Sequence, residues 1–359
     1  MALSDTKISF GIVGGGWRTE FYLRVAAALP ALFEASGIVV RDASKGSELE
    51  RRFGVATFRS LEEMLELTKP SFVVVSVPWA VCPVIIRQLA ERGIPVLSET
   101  PPAPDLEGLL ALQDCSGVQV AEQYPFQPRH QAIDEIIRSG RLGEVSHVQV
   151  SVAHGYHGIA LIRRWLGVGF DAAQMTAKRF SSPITAGPNR AGKPQRYEKT
   201  VSQQTIAWFE FNGKQAVFDF TGDQYFSWIR SSRILIRGDQ GELANDTLRY
   251  LADFETPVQL DLKRVSAGEN GNLEGQYLKG ILCGEQWVYT NPFAPARLTD
   301  DELAVAETLQ KMSEYVRGGP SFYPLAEASQ DHYLNLLLNQ AIETGETVTS
   351  AVQPWATRT

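Results

Sequence analysis

Apolar runs and polar breaks divide the chain into two halves with different periodicities. In the first half, short unalternated apolar runs recur between stretches of helical spacing. Residues 8–13 predict a buried strand, Gly14-Gly15-Gly16 breaks it, and residues 17–29 have the apolar spacing of a helix that Pro30 stops. The pattern then repeats, with a strand over 37–40, helices over 47–53 and 61–67, and a strand over 72–77. That last run is β-branched and does not alternate, as a parallel strand covered on both faces requires. A helix over 84–92 ended by Gly93, a strand over 94–97, a helix over 105–112 and a strand over 118–121 complete the series. Repeated units of this kind predict an α/β, Rossmann-type doubly wound parallel sheet.

From about residue 145 onward the period changes to two. Val148, Val150 and Val152 alternate with Gln149 and Ser151, which suits a sheet with one covered face. Runs at 205–211 and 215–220 flank Asn212-Gly213, a hairpin signal, and runs at 233–237 and 242–243 flank Gly238-Asp239-Gln240-Gly241. Thr299 with Glu302 forms a capping box, and Leu303, Ala306, Leu309, Met312 and Val316 mark the buried face of the helix that follows. A last helix over 325–343 precedes a short extended segment. Residues 181–200 are polar and rich in Pro and Gly, and they read as a surface loop. These features predict an α+β second domain on a large, mainly antiparallel open sheet. The domain boundary falls between 123 and 124, giving a dinucleotide-binding domain over 1–123 and a substrate-binding and oligomerisation domain over 124–359.

Composition removes several function classes. Formal net charge is −7 over 359 residues with no extended basic cluster, which argues against nucleic acid as a partner. The apolar run over 72–86 is too short to span a bilayer and is interrupted by Pro78 and Pro83. Cys82, Cys115 and Cys283 are too scattered for a metal or redox motif, so no metal site is expected and a reducing compartment is. Residues 1–5 lack signal-peptide architecture, and the expectation is a cytoplasmic protein.

The glycine turn is the first candidate for chemistry. A strand, a glycine break and a helix in this order form the site at which a helix N-terminus meets a dinucleotide pyrophosphate. Gly14 and Gly16 fill the first two positions of the G-x-G-x-x-G/A pattern, and Thr19 takes the third. Arg41 closes the second strand, where an acidic residue would hold the adenosine ribose hydroxyl. Arginine there suits a 2′-phosphate, so NADP is favoured modestly over NAD, although Asp42 follows and offers a carboxylate to the hydroxyl.

Together these elements resemble the Gfo/Idh/MocA oxidoreductases. Val96-Leu97-Ser98-Glu99-Thr100-Pro101 stands at the place of that family's Glu-Lys-Pro motif, and Val77-Pro78-Trp79 looks like its Thr-Pro-Asn segment. Residues 137–145 are similar to the entry into the second domain, and Gly155-Tyr156-His157 with Leu161, Arg164, Trp165 and Gly167 looks like the helix that carries the family's histidine. The resemblance implies a nicotinamide cofactor on the first domain and a sugar-, polyol- or inositol-like substrate on the second. It also implies Trp17, Arg18, Pro78, Trp79, Glu99, Thr100 and Gln123 as cofactor neighbours beside Gly14, Gly16 and Arg41, and a homo-dimer or homo-tetramer assembled through the second-domain sheet.

Two departures bear on mechanism. Thr100 replaces the motif lysine, and Ala153 lies four residues before His157, where the family's aspartate would lie. Hydride transfer to or from a carbinol carbon needs a group that moves the hydroxyl proton, which threonine cannot do near neutral pH. His157 is the leading acid/base candidate, with the phenols of Tyr156 and Tyr124 as alternative donors. Relatives without the lysine include imine and conjugated-bond reductases, a reading in which Tyr124 matters more. A third reading is an NAD(P)-binding sensor or scaffold that has lost catalysis. Arg163 and Arg164 read as a solvated helix face in preference to a site for an anionic substrate.

Overall fold

A computed structural model describes residues 7–357. Strands and helices alternate through the first third: β1 (Ile8–Val13), α1 (Thr19–Ala28), β2 (Phe33–Val39), α2 (Ala43–Phe53), β3 (Thr57–Phe58), α3 (Leu61–Thr68), β4 (Phe72–Val75), α4 (Cys82–Ala90), β5 (Val96–Ser98), α5 (Leu106–Ala111) and β6 (Val118–Val120). The six strands form one sheet in the order β3-β2-β1-β4-β5-β6. Every neighbouring pair in it is parallel, and β1 pairs with both β2 and β4. The order reverses beside β1, the topological switch point at which doubly wound sheets bind ligands. Phe10, Ile12, Phe72, Val73, Val74, Val96 and Leu97 have no measurable exposure, so the unalternated runs are buried on both faces.

The chain continues through α6 (Pro128–Arg138), β7 (Val145–Ser151), α7 (Gly155–Leu166), β8 (Gln174–Thr185), β9 (Lys199–Phe211), β10 (Lys214–Thr221), β11 (Arg233–Gly238), β12 (Gly241–Ala244), β13 (Thr247–Leu251), β14 (Pro257–Ala267), β15 (Tyr277–Cys283), β16 (Gln286–Thr290), α8 (Asp300–Val316), α9 (Leu325–Thr344) and β17 (Val348–Thr349). The second sheet has eleven strands in the order β16-β15-β14-β13-β12-β11-β7-β10-β9-β8-β17. From β14 through β17 in that order its neighbours pair antiparallel, except that β10 runs parallel to β7. β8 and β9 are longer than their sequence pattern predicts. Residues Ser181 to Thr185 pair with Gln203 to Lys199, so the expected loop over 181–200 is a hairpin arm whose irregular part is only 186–198. Exposed strands need no apolar alternation, which is why polar composition hid them.

The chain divides into two compact units. The first takes the residues up to Gln131 together with Arg264–Gly280 and Tyr289–Ser329, and the second takes Ala132–Lys263, Ile281–Val288 and Gln330–Thr359. Late segments therefore complete the early unit. α8 is capped by the Thr299 and Glu302 pair as the sequence predicts, and Glu302 accepts from Arg24 of α1 at 2.6 Å. The buried Gln119 side chain of β6 accepts from the backbone N–H groups of Phe322 and Tyr323 at 3.0 and 2.9 Å. Among the described residues no helix is long and apolar enough to cross a membrane.

Candidate functional site

In the first unit the glycine turn has the geometry the sequence requires. Gly14 adopts φ +118°, its N–H donates to Val39 O at 3.0 Å, and a Cβ there would overlap the Ser76 carbonyl oxygen. Only glycine fits such a place without strain. Thr19, fully buried, ties the turn from the other side by donating its hydroxyl to Gly14 O at 3.0 Å. Gly16 has open space around its missing side chain. α1 starts at Thr19 with no side-chain cap, and Glu20 in its first turn is paired with Lys45 at 3.6 Å and Arg52 at 2.8 Å. An open cradle at an uncapped helix end fits a dinucleotide pyrophosphate.

Arg18 does not reach outward from this turn. Its Nε and Nη2 both lie 3.0 Å from Glu99 Oε1, and Nη2 is 3.5 Å from Gln123 Oε1. The Tyr22 hydroxyl donates to the same Glu99 oxygen at 2.6 Å. Burial works against the charge of Arg18, but Glu99 and Tyr22 more than offset it and hold the guanidinium protonated. Burial, then the Glu99 charge, pushes the Tyr22 phenol well up. Trp17 is half exposed and the Arg18 guanidinium lies 5.4 Å from its ring centre. Arg18, Glu99 and Gln123 are thus one cluster that ties α1 to the ends of β5 and β6. Pro78 and Trp79 follow β4, with Trp79 exposed, and Thr100 follows Glu99.

Arg41 is exposed just beyond β2. Asp42, the alternative ribose partner, caps α2 by accepting the Lys45 N–H at 2.9 Å. A second arginine that the sequence did not single out stands here. Arg59 donates to Val40 O at 2.8 Å, and its guanidinium lies against Gly46.

Glu122 was also missed, because it follows an apolar strand with nothing in the pattern to mark it. Its side chain has no measurable exposure and accepts the Tyr124 N–H at 3.0 Å. Burial raises its carboxyl to about 8, with the Glu99 charge adding to the rise and Arg18 and the Tyr124 N–H opposing it. The sign of the linkage follows. The unfolded carboxyl ionises from about pH 4.5 while the folded one stays protonated to about pH 8, so stability falls as pH rises across that window. At about 1.4 kcal/mol per unit the slope sums to roughly 5 kcal/mol. Glu122→Gln cannot ionise and loses this slope, so urea midpoints at pH 5 and pH 8 converge in the variant and diverge in the wild type. Parallel pH curves for the two proteins would contradict the assignment.

Tyr124 is buried. Its ring stacks at 6.1 Å on His130, whose Nδ1 is 2.7 Å from Tyr124 O.

The second unit holds the remaining candidates at the start of α7. His157 and Tyr156 are both buried, 5.2 Å apart between ring centres, and the Tyr156 ring is 6.1 Å from His332 of α9. His154 precedes the helix, its ring 4.6 Å from that of His157, and Tyr225 Oη lies 2.7 Å from His154 Nδ1. Two glycines permit this crowding. A Cβ on Gly155 would overlap Asn335 Oδ1, and one on Gly158 would come within 2.5 Å of the Phe218 ring. Ala153 is fully buried and offers no side-chain polar group.

Arg163 corrects the expectation of a solvated helix face. It is buried, pairs with the fully buried Asp331 at 2.5 Å and donates twice to Gly169 O, at 3.0 and 2.7 Å. Every part of that guanidinium faces protein, so it locks α7 to α9 and binds no substrate anion. Arg164 pairs with Asp134 at 2.7 Å on the surface. Among the described residues no group of three or more His, Cys, Asp and Glu side chains suits a metal ion.

Comparison with known proteins follows the same division. Residues 8–121 match the GFO_IDH_MocA family model, described as an oxidoreductase family with an NAD-binding Rossmann fold. Among curated proteins, the chain is 25% identical over 208 residues to inositol 2-dehydrogenase of Corynebacterium glutamicum (strain R), which is 55% of this chain and 59% of that protein. The match thus spans about three fifths of the relative's length. Among solved structures, levoglucosan dehydrogenase in complex with NADH and levoglucosan superposes with a TM-score of 0.69 at 17% identity, covering 96% of this chain and 99% of that one. A myo-inositol dehydrogenase from Corynebacterium glutamicum ATCC 13032 gives 0.65 at 18% identity over 96% and 99% of the two chains. These likenesses fix the fold of both units. The residues that match the oxidoreductase family model, 8–121, are those that carry the glycine turn and all six strands of the parallel sheet.

Proposed function

We propose that this protein is an NAD(P)-dependent oxidoreductase that moves a hydride between a nicotinamide cofactor and a small sugar-, polyol- or inositol-like substrate. The observation that carries the reading is the Gly14 turn, a backbone cradle with no room for a side chain, set at the switch point of a sheet of this family. In this reading the first unit holds the cofactor through Gly14, Gly16 and the uncapped N-terminus of α1. Trp17, Pro78, Trp79 and Thr100 line the cofactor. Arg18, Glu99 and Gln123 hold the strand ends in register beneath it. When bound, the nicotinamide accepts or supplies the hydride. His157 takes the hydroxyl proton in oxidation and returns it in reduction, with Tyr156 as the adjacent phenol and Tyr124 as a buried support.

The cofactor is NADP in preference to NAD. Arg41 and Arg59 both stand at the end of β2, while Asp42 is engaged as a helix cap. A 2′-phosphate gains charge-assisted hydrogen bonds from guanidinium groups that a ribose hydroxyl does not need. Arg41→Ala therefore weakens NADPH binding by about tenfold or more and NADH binding by less than about threefold. Fluorescence titration of both reduced cofactors reads this. Equal losses for the two would return the preference to NAD.

We assign a homo-dimer or homo-tetramer through the second sheet, because Phe180, Ile206 and Trp208 stand exposed on one face of β8 and β9. Sedimentation as a monomer at every concentration tested would refute it. A cytoplasmic setting suits Cys82, Cys115 and Cys283, all present as free thiols. Export of the protein in a cell fractionation would count against that setting.

A further inference from the structure

We propose that Arg59 is the fixed half of a site for the 2′-phosphate of an adenosine ribose, and that Gly46 of α2 sets cofactor choice by leaving room for the Arg59 guanidinium. The proposal rests on the reading of this protein as an oxidoreductase that prefers NADP.

Gly46 is the residue that backbone geometry does not account for. It is the fourth residue of α2 and is buried, and its N–H donates to Asp42 O at 3.0 Å as any helical residue's would. Its φ is not left-handed, and glycine inside a helix is less favourable than alanine. Space explains it. A Cβ at Gly46 would stand 2.9 Å from Nη1 and 3.1 Å from Nη2 of Arg59, and 3.0 Å from Thr57 Oγ1. The guanidinium is the far end of a flexible, exposed side chain, so it gives way before the helix does.

From this seat Arg59 reaches the end of β2. Its Nη1 donates to Val40 O at 2.8 Å, the carbonyl of the peptide that leads into Arg41. Val40 also packs on the glycine turn, because a Cβ on Gly15 would meet both of its methyl groups at 3.2 Å. Gly14 meanwhile donates to the preceding carbonyl, Val39 O. The fork is thus anchored to the residue that touches the cradle, at the strand end where the adenosine ribose of a dinucleotide lies.

Charge at this corner leaves the fork available. Among the described residues, the bond to Val40 O is the one hydrogen bond of Arg59, and it enters no ion pair. Glu50 of α2 feels its charge, yet both hydrogen bonds to that carboxylate come from Thr57, at 3.2 and 2.6 Å. Lys45, whose stem faces Gly15, is committed to Glu20 and Glu48 at 3.6 and 3.1 Å. Nε and Nη2 of Arg59 therefore keep their N–H groups for a ligand, and that side-on pair suits a phosphate bidentately. Arg41, exposed and held by nothing among the described residues, closes on the same phosphate as the mobile half.

The test is a set of fluorescence titrations with NADPH and NADH on the full chain, each variant also unfolded in urea. Wild-type protein binds NADPH more tightly. Arg59→Ala weakens NADPH binding about tenfold or more and NADH binding less than about threefold. Arg59→Lys keeps the charge but not the fork, and recovers only part of that loss. Gly46→Ala weakens NADPH about fivefold and leaves NADH unchanged. Added to Arg59→Ala it weakens NADPH no further, because the glycine acts only through that guanidinium. Equal losses of both cofactors in Arg59→Ala, beside a wild-type preference for NADPH, are the mark of a structural tie to Val40 O. They overturn the proposal and leave the NADP reading standing, and wild-type NADPH affinity in Gly46→Ala overturns it likewise. Wild-type protein that prefers NADH overturns the NADP reading and this proposal with it.

Discussion

Replacing His157 by asparagine lowers kcat about a hundred- to ten-thousand-fold, while NADPH still binds with its wild-type affinity. The expectation follows from where the residue lies and from what the chain lacks. Thr100 has no proton to exchange near neutral pH, and Ala153 is buried and apolar. His157 is the histidine that the resemblance implies, and it sits against His154 and Tyr156 in the second unit. A purely structural histidine would behave differently. Its loss would lower the melting temperature and leave kcat of the surviving folded protein intact. Steady-state kinetics and thermal unfolding on the same preparation separate the two, and unchanged kcat with a lowered melting temperature would remove His157 from the mechanism.

The second large effect is at the glycine turn, where two neighbouring substitutions have opposite signatures. Gly14→Ala must force a Cβ into the Ser76 carbonyl at φ +118°, and the turn cannot yield freely because Val39 and Thr19 hold it on both sides. It costs about 2–3 kcal/mol or more in stability and removes cofactor binding with it. Gly16→Ala meets nothing within 4 Å in the protein alone, so the variant folds with unchanged stability. Its methyl group instead stands where a pyrophosphate must approach the backbone, and affinity for NADPH falls about tenfold or more. Denaturant unfolding and cofactor titration on both variants read the contrast. Full cofactor affinity in Gly16→Ala would show that the cradle is only a strand-to-helix turn.

What the sequence made legible was local. The Gly14 turn, the β-branched run of β4 and the capping box of α8 each need only a few neighbouring residues to be recognised, and each stands where the pattern put it. What stayed hidden depends on distant partners. Arg163 looked like any arginine on a helix face until Asp331, 168 positions away, closed over it. Glu122 follows an apolar strand, and nothing in its neighbours says that the fold will bury it beside Glu99 and Arg18. Arg59 reaches the end of β2 across a turn that the periodicity does not define. Tyr225 is 71 positions from His154 and comes from a turn whose geometry is fixed by Gln224 rather than by an apolar pattern. The polar arms of β8 and β9 read as a loop because exposed strands carry no hydrophobic period to detect.

The central claim, that this chain binds a nicotinamide cofactor and uses it, is tested most directly in one cuvette. NADPH and NADH are titrated by fluorescence, and the bound reduced cofactor is then challenged with ketoses, inososes and imines. The account predicts saturable binding, tighter for NADPH, followed by loss of the reduced signal with an inosose or keto-sugar that disappears in His157→Asn. Tight binding with no turnover on any of them would contradict the enzymatic account and point to a sensor or scaffold, and failure to bind either cofactor would contradict the whole of it.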